Sequence, residues 1–116
     1  MKKHENIGQW RATLYPGQND YLIKITAVIP TDQPGTRLSL EPIDTFSSPD
    51  YGLVFRLENA DEINVESEQD TYLSSRHPFP GICNYKKIII IGFRNGEKTS
   101  FLIALIDIRQ SPDELH

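Results

Sequence analysis

The sequence predicts a mostly β fold, an antiparallel sandwich or barrel-like single domain of about six to eight strands, and three observations carry that expectation. In several segments apolar residues recur at every second position, the pattern of a strand with one dry face. Pro, Gly, Asn and Asp gather in short clusters between those segments, where turns are needed. The two longest apolar runs, 88–91 and 101–106, flank Asn95-Gly96, which supplies the two positive-φ positions of a type I′ hairpin turn. At 116 residues and 38% hydrophobic composition, the chain suits one compact domain spanning 1–116, with frayed ends at 1–6 and 110–116.

Taken in order, Trp10, Ala12 and Leu14 alternate with Arg11 and Thr13. Pro16-Gly17 and Asn19-Asp20 interrupt the pattern before Tyr21 restarts it, which predicts a hairpin with a longish loop. The β-branched run 21–29, the turn "PTDQPG" and the alternating "TRLSLEPI" predict a second unit of the same kind. "LVFRLENADEINVES" reads as two short strands, 53–57 and 62–67, joined through Asn59-Ala60-Asp61. Ser48-Pro49-Asp50 would also start a helix over 48–58, giving an α+β fold, but Gly52, Val54 and Phe55 favour an extended segment.

"DTFSSPDYG" and "SSRHPFPG" read as linkers, the second because Pro78 and Pro80 remove ladder donors. A two-residue turn at Asn95-Gly96 would place Arg94 opposite Glu97, Phe93 opposite Lys98, Ile90 opposite Phe101 and Ile88 opposite Ile103. In that register Ile88, Ile90, Phe101 and Ile103 line one side and Ile89, Ile91, Leu102 and Ala104 the other, so both faces are apolar. The second face then needs cover from this chain, from closure of the sheet or from another molecule, a homodimer through the 88–106 hairpin included.

Charge narrows the function. Sixteen Asp and Glu against twelve Lys and Arg give a formal net charge of −4, and Lys2-Lys3 and Lys86-Lys87 are the adjacent cation pairs. That balance argues against nucleic-acid or anionic-membrane partners, which select clustered Lys and Arg. The opening "MKKHENIGQW" has the basic beginning of an export signal without the apolar stretch that must follow. No apolar run approaches the ~20 residues of a spanning helix. Cys83 is the single cysteine, so no intramolecular disulfide is expected and a cytoplasmic location follows.

Residues 58–70, "ENADEINVESEQD", hold six carboxylates and no cation: Glu58, Asp61, Glu62, Glu66, Glu68 and Asp70. An EF-hand loop needs a central Gly and a final Glu at fixed spacing, and this segment has no Gly, so neither a metal site nor a cofactor is expected. On a strand, Glu62, Asn64, Glu66 and Glu68 would form a row opposite Ile63 and Val65. Such a row guards an edge strand against mispairing, or it meets a basic protein. Tyr72, Arg76 and Phe79 follow directly and are of the residue types that dominate binding hot spots.

Reaction chemistry is thin. His77 and Cys83 lie six residues apart across two prolines, but no nucleophile signature surrounds Cys83, and no catalytic residue is expected. His4 and His116 do not complete a zinc pattern, and Gly81 and Gly96 belong to turns, not to a phosphate loop. The remaining aromatics lack the interleaved cations of a single-strand binding surface.

Three classes remain. The first is a non-enzymatic acidic module that binds a basic protein through residues 58–70, with Tyr72, Arg76 and Phe79 as anchors. In size, charge and lack of reaction chemistry this chain looks like a bacterial immunity protein or antitoxin. That resemblance implies occlusion of a toxin, such as a basic nuclease domain. The second is a small barrel or sandwich binding an apolar small molecule, which requires an interior void. The third is a small enzyme using His77 with a carboxylate, which requires His77 in a concave pocket.

Overall fold

A computed structural model describes residues 6–43, 47–93 and 100–111. These form seven strands: β1 (Gln9–Pro16), β2 (Asp20–Pro30), β3 (Ser39–Pro42), β4 (Leu53–Glu58), β5 (Asp70–Pro80), β6 (Lys87–Phe93) and β7 (Ser100–Gln110). They make one sheet in the order β3-β4-β6-β7-β1-β2-β5. The sheet curls until its two edges nearly meet, giving a barrel-like mostly β architecture. Four of the strand pairings are antiparallel, while β1–β7 and β4–β6 are parallel.

The alternation seen in the sequence sets the faces. Along β2, Tyr21, Ile23, Ile25, Ala27 and Ile29 are buried while Leu22, Lys24, Thr26 and Val28 point outward. Ile23, Ile25, Ile29, Phe55, Ile88, Ile90 and Ile103 are wholly inaccessible and fill the interior. Each such side chain contributes about 1.5–3 kcal/mol by leaving water. The first hairpin forms as expected, with Gln9 opposite Val28 and Pro16 opposite Tyr21.

The second expected hairpin does not form. β3 pairs with β4, and the outer neighbour of β2 is β5, which runs antiparallel to it over eleven residues. The expected linker around Pro78 and Pro80 is therefore strand, with Pro78 opposite Leu22 and Pro80 opposite Asp20. An edge strand tolerates proline where the missing donor would face away from its neighbour. Residues 53–58 are strand rather than helix, whereas the expected strand at 62–67 is reduced to the end of a 3₁₀ turn, Ala60–Glu62, a single bridge of Ile63 to Thr31 and a further turn.

The β6–β7 register also departs from expectation. Phe93 lies opposite Ser100, Ile90 opposite Ala104 and Ile88 opposite Ile106, with a bulge between. Residues 94–99, and with them the Asn95-Gly96 turn and the Arg94–Glu97 pair, fall outside the described residues. The bulge lets consecutive Ile103 and Ala104 both face inward and leaves Leu102 and Leu105 outside, 37% and 40% exposed.

The second apolar face receives part of its cover from the chain itself. Val54 is buried, the turn at 47–52 lies against it through Ser47, and Gly52 approaches the Ile89 side chain. Two of the residues assigned to frayed ends are tied down: the Asn6 side chain bonds the Leu105 backbone in both directions, and the Ser111 N–H donates to Leu14 O. Residues 1–5 and 112–116 lie outside the described residues.

Candidate functional site: an acidic loop held by the barrel

Residues 59–69 join the end of β4 to the start of β5, which gathers the carboxylates at one end of the barrel. Asn59 adopts the left-handed conformation (φ 61°), which short polar side chains tolerate, and its side-chain NH₂ donates to Arg37 O at 2.7 Å. The 3₁₀ turn follows, and its Ala60 is buried against β6 at Gly92. A Cβ at Gly92 would stand 2.6 Å from that of Ala60, so glycine here permits the close seating of the loop.

Beyond the turn, the loop is tied to the end of β2. Asn64 N–H donates to Pro30 O (3.0 Å), Asp32 N–H to Glu62 O (3.0 Å) and Thr31 N–H to Gln69 O (3.1 Å). Asn64 Nδ2 donates to Asp32 Oδ1 at 2.8 Å, while Asn64 Oδ1 accepts from Glu66 N–H. Ser67 Oγ likewise accepts from Gln69 N–H. The short polar side chains make turns of their own, and the pairing with the end of β2 stops at a single bridge, Ile63 to Thr31. This is why the expected strand gives way: Asn64 and Ser67 compete with a neighbouring strand for the same donors.

Asp61, Glu62, Glu66, Glu68 and Asp70 are all exposed, whereas Glu58 is half-buried, 3.6 Å from Arg56 Nε. Glu62, Asn64, Glu66 and Glu68 thus share an end of the barrel but do not form a strand row. Val65 stands among them 68% exposed, and Tyr72, also 68% exposed, projects from the outer face of β5 nearby. Sequence reading missed Asp32 and Val65. Asp32 sits in "PTDQPG", whose turn chemistry hid its place beside Asn64, and Val65 was assigned to a dry strand face.

The three anchors do not share one surface. Tyr72 and Arg76 project from the outer face of β5, Arg76 four residues further from the acidic loop. Phe79 faces inward, stacked on Tyr21 at 5.2 Å between centroids and edge-on to Phe55 at 6.4 Å. Its role is packing. Parity along a strand decides this: 72 and 76 fall on one face and 79 on the other.

His77 is also on the inner face, its ring 4.7 Å from that of Phe55 and its Nε2 2.6 Å from Ser75 Oγ. Burial holds its imidazole below the ordinary value of 6.5. Cys83 is half-buried, and its thiol bonds Tyr85 O. Among the described residues no group of three or more His, Cys, Asp or Glu converges as metal ligands would.

The His77 shift has a thermodynamic consequence. The unfolded chain binds the proton near pH 6.5 while the folded chain resists it, so ν_U exceeds ν_N below that point and stability falls with pH. The decline is expected to begin as pH drops through 6.5 and to level off once the folded imidazole is itself protonated. Urea midpoints between pH 8 and 5 should show this slope in the wild type and lose it in His77→Gln, which keeps an acceptor for Ser75.

Two surface hollows, of about 270 and 280 Å³, lie on either side of Arg11. One opens where β1 and β7 part, between Trp10, Arg109 and Asp107; the other lies beside Val28 and Tyr72. No protein-family model, curated protein or solved structure matches the chain.

Proposed function

We propose that the chain is a non-enzymatic protein-binding module that docks a basic protein on its acidic loop, in the manner of an immunity or antitoxin protein occluding a basic toxin. One observation carries the reading: the carboxylates sit on a loop fixed by hydrogen bonds to β2 and seated on β6, with Val65 exposed on the same loop. A loop already ordered loses little entropy on docking, and an exposed apolar residue within a charged rim supplies an anchor. The like charges raise the encounter rate with a basic surface and repel acidic ones.

The competing readings find less support. An apolar-ligand barrel requires a chamber, whereas among the described residues the inward Ile, Leu and Phe side chains pack into one buried cluster. An enzyme built on His77 requires a carboxylate to orient it, and the His77 ring is held by Ser75 and Phe55 instead.

Glu62→Gln, Glu66→Gln and Glu68→Gln together test the proposal. A basic protein captured from lysate by the wild-type chain at low salt should associate with the triple variant about tenfold more slowly, with a flattened salt dependence. Stability should stay within about 0.5 kcal/mol, since these side chains are exposed. Equal rates for both proteins would remove the loop from the binding surface.

A further inference from the structure

The register brings together four cations that are far apart in the sequence. Lys24 lies opposite Arg76, Thr13 lies opposite Lys24 on β1, and Arg109 lies opposite Thr13 on β7. Arg11 is two residues along β1, on the same outer face. Among the described residues none of these four has a carboxylate within ion-pair distance; Asp107, on the rim of the hollow beside Arg11, is paired with Lys87 at 4.0 Å. Three strand spacings of about 4.8 Å separate Arg109 from Arg76, so the cations form a band across the sheet.

The same face carries the opposite charge at its other end. Asp70 and Arg76 are on one side of β5, six residues or roughly 20 Å apart at the usual rise per residue. Between them Tyr72 lies opposite Val28, and these are the large apolar side chains exposed on this stretch, 68% and 37%. The hollow of about 280 Å³ adjoins both. The face therefore reads, along β5, as acidic end, apolar middle and basic band.

We propose that this face binds a second copy of the chain turned end for end, forming a symmetric dimer. A two-fold axis running across the strands at the level of Leu73 sets Asp70 and Glu68 of each copy against Arg76 and Lys24 of the other. Tyr72 of each copy then reaches the hollow beside the other's Val28. Two-fold contacts are self-complementary and closed, so one charge pattern is used twice and no open filament forms. A nucleic-acid strand on this face would gain from the basic band but be repelled at the acidic end, and the chain is acidic as a whole. The dimer does not depend on the foreign partner proposed above, but it covers Glu68 and Asp70, so such a partner would compete with it.

Sedimentation velocity of the full chain tests this at ~50 and ~500 mM salt, where screening lengths differ about threefold. The expected result is a dimer at low salt that dissociates at high salt. Lys24→Glu with Arg76→Glu should be monomeric, as should Glu68→Lys with Asp70→Lys, and an equimolar mixture of the two should restore the dimer. That restoration also shows that both variants are folded. A wild-type chain that stays monomeric at low salt overturns the proposal, as does a dimer abolished by Leu102→Ser with Leu105→Ser but indifferent to both charge reversals. Binding of a single-stranded oligonucleotide that is lost in the Lys24→Glu, Arg76→Glu variant, without dimerisation of the wild type, overturns it in favour of a polyanion.

Discussion

Replacing Phe55 with Ala is expected to cost about 3–5 kcal/mol of stability, the range for deleting a fully buried aromatic side chain that its surroundings cannot refill. Phe55 has no accessible surface and belongs to β4, yet its ring meets His77 and Phe79 of β5, a strand at the other edge of the sheet. It spans the seam where the barrel closes without a continuous ladder. The loss should lower the melting temperature by about 10–20 °C for a domain of this size. Phe55→Leu keeps most of the volume and should cost less, while still loosening the cover over His77. A histidine titration of that variant should show the His77 pKa moving back up toward 6.5, because burial is what lowers it. An unchanged His77 titration would mean that Phe55 does not shield the seam.

The second large effect is expected at Thr71. A chain of hydrogen bonds runs from Thr36 N–H to Thr71 Oγ1 (3.1 Å), from Thr71 to Thr31 Oγ1 (2.8 Å) and from Thr31 to Gln33 O (2.6 Å). Both hydroxyls are buried, and this directional assignment satisfies each of them. Thr71→Val preserves shape but leaves Thr36 N–H without its acceptor and Thr31 without its donor, at a cost of about 1–3 kcal/mol. Thr31→Val with Thr71→Val should cost less than the sum of the single changes, because the pair becomes apolar together. Strict additivity in denaturant titrations would show that the two hydroxyls act separately.

These residues also show what the sequence could and could not reveal. Strand identity was legible wherever one face was dry: the alternation of β2 and the β-formers of β4 settle those segments locally. Pairing was not. That β5 joins β2, and that β3 joins β4 instead of β2, depends on long-range closure, which no short window encodes. Pro78 and Pro80 looked like breakers because their tolerance depends on an edge position visible only once the strand order is known. Counting outward from Asn95-Gly96 set Ile90 opposite Phe101, but the irregularity between Ile90 and Ile91 sets Ile90 opposite Ala104.

The site divides in the same way. Six carboxylates in thirteen residues were plain to see, and their exposure follows from charge alone. The loop geometry was hidden because Asn64, Ser67 and Asp32 act through hydrogen bonds that look like ordinary turn composition. Most instructive is the basic band. Scanning for adjacent cations finds Lys2-Lys3 and Lys86-Lys87, whereas Arg11, Lys24, Arg76 and Arg109 meet only through strand register.

Residues 59–69 are held in place by the barrel through backbone bonds to β2, and amide hydrogen exchange of the free chain reads that anchoring residue by residue. Asp32, Glu62, Asn64 and Ser67 donate backbone N–H groups to the bonds that fix the loop. Their exchange should be slowed about a hundredfold or more relative to an unstructured peptide and should quicken in Thr71→Val, which loosens the anchoring end of β2. Exchange of all four at the unstructured rate in the wild type would mean that the loop is not anchored, leaving the carboxylates as a solvated tether with no shape for a partner to meet.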